Sequence, residues 1–275
     1  MAMRMKSTDI KSVDKAQELK SSFIISLELI KRLILRNIFV RYRQSLMGYL
    51  WAFIIPVVMV LFFGYITSTR VITVGATPFA YPVFALFNVI IWQYFAGILV
   101  GSTGSLSAAG ALVTKINFPK ETLVFSAVGQ PLFELLIKLP LLIGAFLWYG
   151  VKPDLNVLFI PFLLLPLTLL AIGAGFILSI ANLLFKDIES VAGIIASYGM
   201  FAAPIIYPPS HIYPFSLLNV LNPFSPYIIA SQNLIATGET GNSLVLSLWI
   251  VISVLVFIVS WLFFRSSLPR VIERA

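Results

Sequence analysis

Long apolar runs separated by short polar connections dominate the pattern of this chain. A helix needs about 20 apolar residues to cross the roughly 30 Å of hydrocarbon in a bilayer. Six stretches approach or exceed that length: Leu50–Ser68, Pro82–Val100, Leu123–Tyr149, Leu158–Leu184, Val191–Tyr207 and Leu244–Phe264. The connections are short except for 208–243, which leaves no room for a soluble domain between spans. The pattern predicts an all-α integral membrane protein with six transmembrane helices in one domain over 46–268.

An amphipathic segment precedes the first span. Its apolar residues recur at helical spacing, at Phe23, Leu27, Ile30, Ile34 and Ile38. Its charged residues fall mostly on the opposite arc, at Glu28, Lys31, Arg32, Arg36 and Arg43. This pattern is typical of a helix that lies in the lipid interface. We therefore predict a polar N-terminal tail over 1–21 and an amphipathic cytoplasmic interface helix over 22–45; a short soluble helix packed on a partner is the alternative.

Composition and charge support a membrane protein. The chain of 275 residues is 59% hydrophobic and 11% charged, whereas roughly a quarter of the residues in soluble domains are charged. The net charge of +8 does not indicate a nucleic-acid partner, because ten of the nineteen Lys and Arg precede the first span. With six spans both termini share one side, and that side carries sixteen of the nineteen cations. The positive-inside rule then predicts cytoplasmic termini, with a C-terminal tail over 269–275.

The sequence lacks the usual signatures of catalysis and metal binding. It has no Cys, which excludes disulfides, zinc–thiolate sites and Cys nucleophiles. It contains no phosphate-binding GxxxxGK[ST] motif, no HExxH and no GxSxG, and His211 is its single His. We predict no catalytic residue, no metal site and no cofactor bound by this chain.

Four short motifs follow one another along the six-span plan. They are RYRQSLMGYLWAFIIP at Arg41–Pro56, KINFPKE at Lys115–Glu121, FKDIE at Phe185–Glu189 and NPFSPY at Asn222–Tyr227. In this order they resemble the ABC-2 type permeases that export lipid-linked polysaccharides, namely O-antigen, capsule and teichoic-acid exporters. The resemblance covers about 22–270. Met47 stands where a Leu is usual before the Gly, a change that conserves volume.

The resemblance implies a transport subunit of a type V exporter-like complex in the bacterial cytoplasmic (inner) membrane. Such a subunit forms a homodimer, contacts membrane lipids and docks two copies of a separate ATPase, which bind ATP and Mg. The expected substrate is a polysaccharide linked to polyprenyl pyrophosphate, with lipopolysaccharide O-antigen favoured. Export of a drug or a simple lipid is the alternative within this architecture. An ion-coupled secondary carrier and a membrane-embedded glycosyl or lipid transferase are the alternatives outside it.

Two further regions acquire roles from the resemblance. A cytoplasmic coupling helix is expected at about 104–119, where candidate ATPase contacts are Leu106, Leu112, Val113, Lys115 and Ile116. A plain cytoplasmic turn is the alternative. The 208–243 loop has five Pro among its aromatic residues and no Lys or Arg, and is expected to form an extracytoplasmic gate. The candidate gate residues are Tyr207, Tyr213, Phe215, Asn222, Pro223, Phe224 and Tyr227; an interfacial loop is the alternative.

Charged and aromatic residues near or within the spans are the candidate substrate contacts. Arg41 and Arg43 form guanidinium forks that match phosphate oxygens, so with Tyr42 and Trp51 they are expected to meet the substrate headgroup at the entrance. Membrane anchoring is the alternative for the two arginines.

Glu134 and Lys138 lie four residues apart in the third predicted span, and we expect them to pair. A single charge at mid-membrane costs about 2.5–3.5 kcal/mol on insertion scales. The functional interpretation is a polar patch that lies along the glycan path or at a subunit interface. The alternative is a structural ion pair that stabilises the bundle. Trp92 and Tyr94 are the candidate ring contacts with sugar.

Overall fold

The computed structural model describes residues 24–40, 50–69, 75–110 and 118–272, and within these ranges the regular structure is helical. We number the α-helices in chain order: α1 at 24–40, α2 Leu50–Ser68, α3 Tyr81–Ala109, α4 Glu121–Ser126, α5 Gly129–Trp148, α6 Ile160–Leu184, α7 Asp187–Tyr198, α8 Leu218–Leu221, α9 Ser225–Ala236 and α10 Ser243–Ile272. Short 3₁₀ helices occupy Leu155–Phe159, Gly199–Ala202 and Phe215–Leu217. The all-α prediction is confirmed for the described residues.

Four helical segments are long and apolar enough to cross a membrane. They are Tyr81–Ala109, Glu121–Trp148, Leu155–Leu184 and Ser243–Ile272, which confirms the predicted second, third, fourth and sixth spans as membrane-length helices. Leu50–Ile66 is a shorter apolar helix at the place of the first span. The count of six spans stays a prediction. Residues 24–40 are helical, as their periodicity predicts, and their position in the lipid interface also stays a prediction.

Helix α3 is the centre of the bundle. Most of its residues are buried, and it packs against α2, α5, α6 and α7. A helix that is apolar on all sides is stable only when neighbours or lipid cover every face. Helix α10 packs along α6 and leaves most of its apolar side chains exposed or half-buried, as expected of a helix on the lipid side of a bundle. Helix α3 is therefore the core of the bundle, and α10 is a peripheral helix that faces the membrane.

The packing partners define the two ends of the bundle. Along α3, Tyr94 meets Thr168 and Thr103 meets Asn182, so α6 runs parallel to α3. Gln93 meets Lys138 and Gly97 meets Pro131, so α5 runs antiparallel to it. The basic end is where α3, α6 and α10 finish and α4 begins. Its cations are Lys120, Lys186, Arg265 and Arg270. The loop end is the opposite one, where α3 and α10 begin and residues 203–224 lie.

Small residues set the closest helix contacts. A Cβ atom added to Gly97 of α3 would lie 2.9 Å from Cγ of Pro131 in α5. A Cβ atom at Gly173 of α6 would lie 3.0 Å from the Cα atom of Phe257 in α10. Close backbone approach over small residues is a main source of helix association in membranes, since lipid tails are as apolar as Leu.

The predicted fifth span, Val191–Tyr207, is not a continuous helix. Helix α7 ends at Tyr198, a 3₁₀ turn follows over Gly199–Ala202, and the chain is irregular from residue 203. Pro204 has no N–H with which to continue the helix. Gly199 faces the Trp92 ring, where an added Cβ atom would lie 2.9 Å from Cη2. The apolar run marked this segment as membrane-embedded, but the Pro and the ring contact end its helix early.

Side chains satisfy the backbone that this break leaves without helical partners. Side-chain N–H groups of α3, of α9 and of the loop end donate to four carbonyls in residues 196–205. The bonds are Trp92 Nε1 to Ala196 (2.8 Å), Asn222 Nδ2 to Ala202 (2.8 Å), Gln232 Nε2 to Pro204 (2.9 Å) and Asn88 Nδ2 to Ile205 (2.9 Å). Irregular backbone at membrane depth is tolerated only where protein or water meets its polar groups. We name residues 199–207 the broken segment.

Replacing Gly97 tests the α3–α5 contact. We expect Gly97→Ala to lower the free energy of unfolding by about 1–3 kcal/mol, because the added methyl group overlaps the rigid Pro131 ring. Thermal unfolding of the purified protein in detergent measures the change. Gly144→Ala is the matched control, since nothing lies within 4 Å of a Cβ atom there and Ala favours helix. Equal melting temperatures for the two variants would contradict the proposed close contact.

Replacing Gln232 tests the support of the broken segment. We expect Gln232→Leu to cost about 1–3 kcal/mol of stability, because the Pro204 carbonyl loses its buried donor. The same unfolding assay measures the loss. Ser231→Ala on the same helix is the control, since the Ser231 hydroxyl bonds only back to the Tyr227 carbonyl of its own helix (2.8 Å). A Gln232→Leu protein no less stable than the control would disprove the role of this bond.

Candidate functional site

A cavity of about 1140 Å³ lies on one face of α3 and is open on one side. Side chains of α1, α2, α4, α5 and α7 form its walls, and they include Arg36, Trp51, Glu134, Lys138 and Glu189. Pockets for drug-sized ligands usually measure roughly 300–1,000 Å³, so this cavity has room for a larger ligand.

Residues with little or no side chain form the floor of the cavity. Ala96, Gly97, Gly101, Gly104 and Ala108 of α3 line it at helical spacing. Neighbouring residues contact this face at three points: Pro131 lies against Gly97, Ala127 Cβ lies 3.5 Å from a Cβ atom built on Gly101, and the Glu189 carboxylate lies against Gly104. Because α3 carries small side chains at these positions, its backbone lies close to the cavity.

Four polar side chains form a network on the wall of the cavity, at the depth of the apolar spans. Lys138 Nζ donates to Gln93 Oε1 at 2.8 Å and lies 3.7 Å from Glu134 Oε2. Gln130 Nε2 donates to Glu134 Oε1 at 3.0 Å. The network therefore runs from Gln130 through Glu134 and Lys138 to Gln93 and joins α5 to α3. All four residues line the cavity.

This network confirms one sequence prediction and extends it. The Glu134–Lys138 pair forms as their spacing predicts. The Lys138 side chain is only 4% exposed, so its charge requires both the carboxylate and the amide oxygen. Gln93 and Gln130 were missed by the sequence analysis. The signals that point to them are one of the two amides within the second apolar run and an amide one helical turn before Glu134.

The basic end of the cavity carries a second polar group. Arg36 donates from Nε and Nη2 to Asn37 Oδ1 at 3.4 and 3.3 Å. Glu189 also lines the cavity, and its backbone N–H donates to Oδ1 of the buried Asn182 at 3.0 Å. Asn182 Nδ2 in turn donates to Ser107 Oγ at 3.0 Å. Asn182 thus fixes the first turn of α7 to α3. Among the described residues, no three His, Asp or Glu side chains cluster closely enough to hold a metal ion.

The candidate ring contacts separate into two groups. Trp51 and Trp92 line the cavity. The Trp92 ring is held by its bond to Ala196 and by an edge contact with Phe224, at 5.1 Å between ring centroids. Tyr94 lies on another face of α3, where its hydroxyl group is 2.6 Å from Thr168 Oγ1, and it does not line the cavity. Trp92 and Tyr94 are two residues apart, and at about 3.6 residues per turn such residues point to nearly opposite sides of an α-helix.

Part of the predicted coupling region belongs to α3. Residues 104–109 form the last turns of that helix, and Leu106 is fully buried in the core of the chain. The other candidate ATPase contacts are Leu112, Val113, Lys115 and Ile116, and they lie outside the described residues, as do Arg41, Tyr42 and Arg43 of the predicted entrance. The coupling and entrance roles stay predictions.

The segment that follows the predicted coupling region is anchored to the end of α10. Arg265 Nε lies 2.8 Å from Glu121 Oε1 at the first turn of α4, and its guanidinium lies 5.1 Å from the centroid of the Trp261 ring. Lys120 Nζ lies 4.0 Å from the centroid of the Phe118 ring, and partial burial lowers the pKa of Lys120. These contacts fix the start of α4 to α10.

The candidate gate residues divide between the core and the surface. Tyr213 and Phe215 are exposed, and the Tyr207 hydroxyl donates to the Phe201 carbonyl at 2.8 Å. Phe224 and Tyr227 are buried, and Asn222 holds the broken segment through Ala202. Pro223 precedes Phe224 in the turn that leads into α9. The 208–243 region is therefore a set of short helices packed at the loop end, and its gating role stays a prediction.

Comparison with known proteins identifies the family. The ABC-2 type transporter model matches residues 28–236. The chain is 27% identical over 196 residues to the O-antigen export system permease protein RfbA of Myxococcus xanthus, covering 71% of this chain and 74% of the relative. It is 26% identical over 217 residues to the RfbA permease of Klebsiella pneumoniae, covering 78% and 83%. The resemblance read from the four motifs is confirmed, and the chain belongs to the ABC-2 type transporter family, whose members are membrane subunits of transporters.

Proposed function

We propose that this chain is the permease subunit of an ABC transporter that exports a polysaccharide linked to polyprenyl pyrophosphate, with O-antigen the favoured cargo. The observation that best supports this proposal is the large cavity, whose wall holds charged and amide side chains at the depth of the apolar helices. Polar groups at that depth cost free energy unless they face a wet path or pair with other groups inside the protein. The similarity to O-antigen export permeases supports the choice of substrate.

The lining of the cavity suits a sugar chain. Trp51 is half exposed and offers a flat apolar face, whereas Trp92 lines the wall with only 5% of its surface exposed. The amides of Gln93 and Gln130 offer donors and acceptors. A polymer has to slide past such groups, so many weak contacts serve it better than one tight site. Arg41, Tyr42 and Arg43 precede α2 and are proposed to receive the pyrophosphate headgroup before the glycan enters.

The proposed assembly is a homodimer with two copies of a separate ATPase in the bacterial inner membrane. The basic end then faces the cytoplasm with both termini, since cations concentrate on that side. The α2 helix and the α7 helix with its broken segment complete six passes. Residues 208–243 form the extracytoplasmic gate.

ATP binding and hydrolysis by the partner act through the segment before α4. Leu112, Val113, Lys115 and Ile116 are the proposed contacts with the ATPase. The Glu121–Arg265 ion pair joins the next turn of the chain to α10, so a displacement at 111–117 is passed to a full-length helix. Rigid-body shifts of packed helices are a known means of opening a path.

Reconstitution tests the proposed function. We expect proteoliposomes that hold this chain and its partner ATPase to translocate a lipid-linked O-antigen, and the glycan to stimulate ATP hydrolysis. Glycan protected from an external glycosidase and released phosphate are measured together. Liposomes with the permease alone are the control. Transport of an unglycosylated lipid or a drug in place of the glycan, or glycan transport without the ATPase, would contradict the proposal.

The polar network separates a transport role from a purely structural one. We expect Glu134→Gln and Lys138→Met to leave the amount of protein in the membrane near normal and to lower export by about tenfold, the loss of one charged hydrogen bond. Surface O-antigen and membrane protein levels are measured in the same cells. Thr168→Val is the control, because it removes the Tyr94–Thr168 bond outside the cavity. Loss of the protein itself would make the pair structural.

A further inference from the structure

We infer that Asn182 is the positioning residue that joins the start of α7 to the end of α3, and that it passes movements of the proposed ATPase contacts to the cavity wall. The inference rests on the proposed function and adds a second connection to it, separate from the Glu121–Arg265 ion pair. Three observations support it: the sparse packing of α7, the hydrogen bonds at its start, and the location of its two ends.

Helix α7 has little apolar packing of its own within this chain. Of its twelve residues, all of which the structure describes, Ala192 alone is buried. Its contacts with other helices are mainly with α3. Apolar contact alone adds little to helix association in a membrane, because lipid tails are as apolar as Leu, and hydrogen bonds between helices gain in weight. The position of α7 therefore depends on the polar groups that bond to it.

Asn182 supplies such a bond at the start of α7. It lies in the last turn of α6 and is only 1% exposed. Its Oδ1 accepts from the Glu189 backbone N–H at 3.0 Å, and this N–H is one of the four that the start of a helix leaves without an internal partner. Lys186, the residue before α7, makes no capping bond with its side chain. Asn182 thus caps α7 from a neighbouring helix.

The other side of the same amide reaches α3. Asn182 Nδ2 donates to Ser107 Oγ at 3.0 Å. Longer contacts of 3.4 Å join the same nitrogen to the Thr103 carbonyl and to Glu189 Oε2. A backbone N–H can only donate, so the bond from Glu189 fixes which atom of the amide is the oxygen and leaves the nitrogen to face α3. We name Asn182 with its bonds to Ser107 and Glu189 the anchor.

The anchor lies between the proposed ATPase contacts and the cavity. Ser107 is five positions before Leu112, so the end of α3 leads directly into the proposed contacts. In the other direction, Ala196 and Ser197 of α7 line the cavity about two helical turns beyond Glu189, a distance of roughly 10 Å. Packed helices shift as rigid bodies, so a movement of the end of α3 that displaces Glu189 also displaces this wall.

The opposite end of α7 is also bonded to α3. Trp92 Nε1 of α3 donates to the Ala196 carbonyl at 2.8 Å. The broken segment follows, and side chains from other elements bond its carbonyls. Helix α7 is therefore joined to α3 near both of its ends, and the interruption of the helix comes after the second bond. This arrangement lets α7 move with α3 while the broken segment absorbs the change in backbone angles, as hinge segments do.

Hydrogen exchange of the full-length protein in lipid nanodiscs tests the anchor. We expect Asn182→Leu to speed exchange of the backbone N–H groups of 187–190 about tenfold, because Glu189 loses its acceptor and α7 loses its bond to α3. Thr168→Val is the matched control, since it removes another α3–α6 hydrogen bond, with Tyr94, in which α7 takes no part. Unchanged exchange in Asn182→Leu, or equal acceleration in the control, overturns the inference.

The amount of glycan exported per ATP hydrolysed tests what the anchor transmits. Both quantities are measured in the same proteoliposomes with the partner ATPase. We expect Asn182→Leu to hydrolyse ATP within about twofold of the natural rate and to export about tenfold less glycan. Unfolding of part of the protein lowers both rates together, so the ratio separates transmission from stability. A natural ratio in Asn182→Leu, or the same fall in Thr168→Val, overturns the inference.

Ser107→Ala is a milder variant that keeps the test decisive if Asn182→Leu does not assemble. It removes the acceptor on α3 and keeps the bond between Asn182 and the Glu189 N–H. Exchange at 187–190 should therefore change by less than about twofold, whereas glycan exported per ATP should fall about threefold. A natural ratio in Ser107→Ala would reject transmission through the anchor.

The two proposals fail separately. The exchange experiment contains no ATPase and no glycan. Faster exchange in Asn182→Leu together with absent export by the natural complex would reject the proposed function and keep Asn182 as the residue that positions α7. Export by the natural complex with an unchanged ratio in the variants would keep the function and reject the inference.

Discussion

Lipid tails cannot hydrogen bond, so every polar group that this chain places at membrane depth has to find its partner within the protein or in water. Helix α3 supplies several of those partners. Within six residues it holds Asn88, Trp92 and Gln93, which bond to two carbonyls at the end of α7 and beyond and to the Lys138 ammonium group. The most buried helix of the bundle is therefore also the helix that lets irregular and charged elements exist beside it.

This arrangement gives the two sides of the cavity different properties. The floor on α3 is made of small residues in a helix that neighbours hold on several sides. The α7 wall ends in the broken segment, which side-chain donors hold in place of helical hydrogen bonds. A segment whose backbone carbonyls are bonded by a few side chains can change these partners at a lower free-energy cost than a helix can break its own backbone hydrogen bonds. For the proposed export function, a stable floor and an interrupted wall are what a moving path between two compartments requires.

The apolar periodicity was sufficient for much of the fold. It located the starts of four membrane-length helices within three residues, although α3 and α10 continue eight or nine residues beyond their predicted ends. It also located the helix over 24–40, because apolar helices depend on local composition. The four motifs were sufficient to predict the family to which the chain belongs. The Glu134–Lys138 pair also followed from spacing, since residues four apart on a helix are neighbours whatever else surrounds them.

What depended on distant parts of the chain was decided only by the tertiary structure. Lys138 meets Gln93 across 45 positions, and Asn88 meets Ile205 across 117. The exclusion of Tyr94 from the cavity and the burial of Leu106 follow from how helices are rotated against one another. Local sequence sets the length and the apolar faces of a helix, because hydrogen bonding within the helix and contact with lipid are local. The rotation and the partners of that helix are set by packing against other helices, and no single segment contains that information.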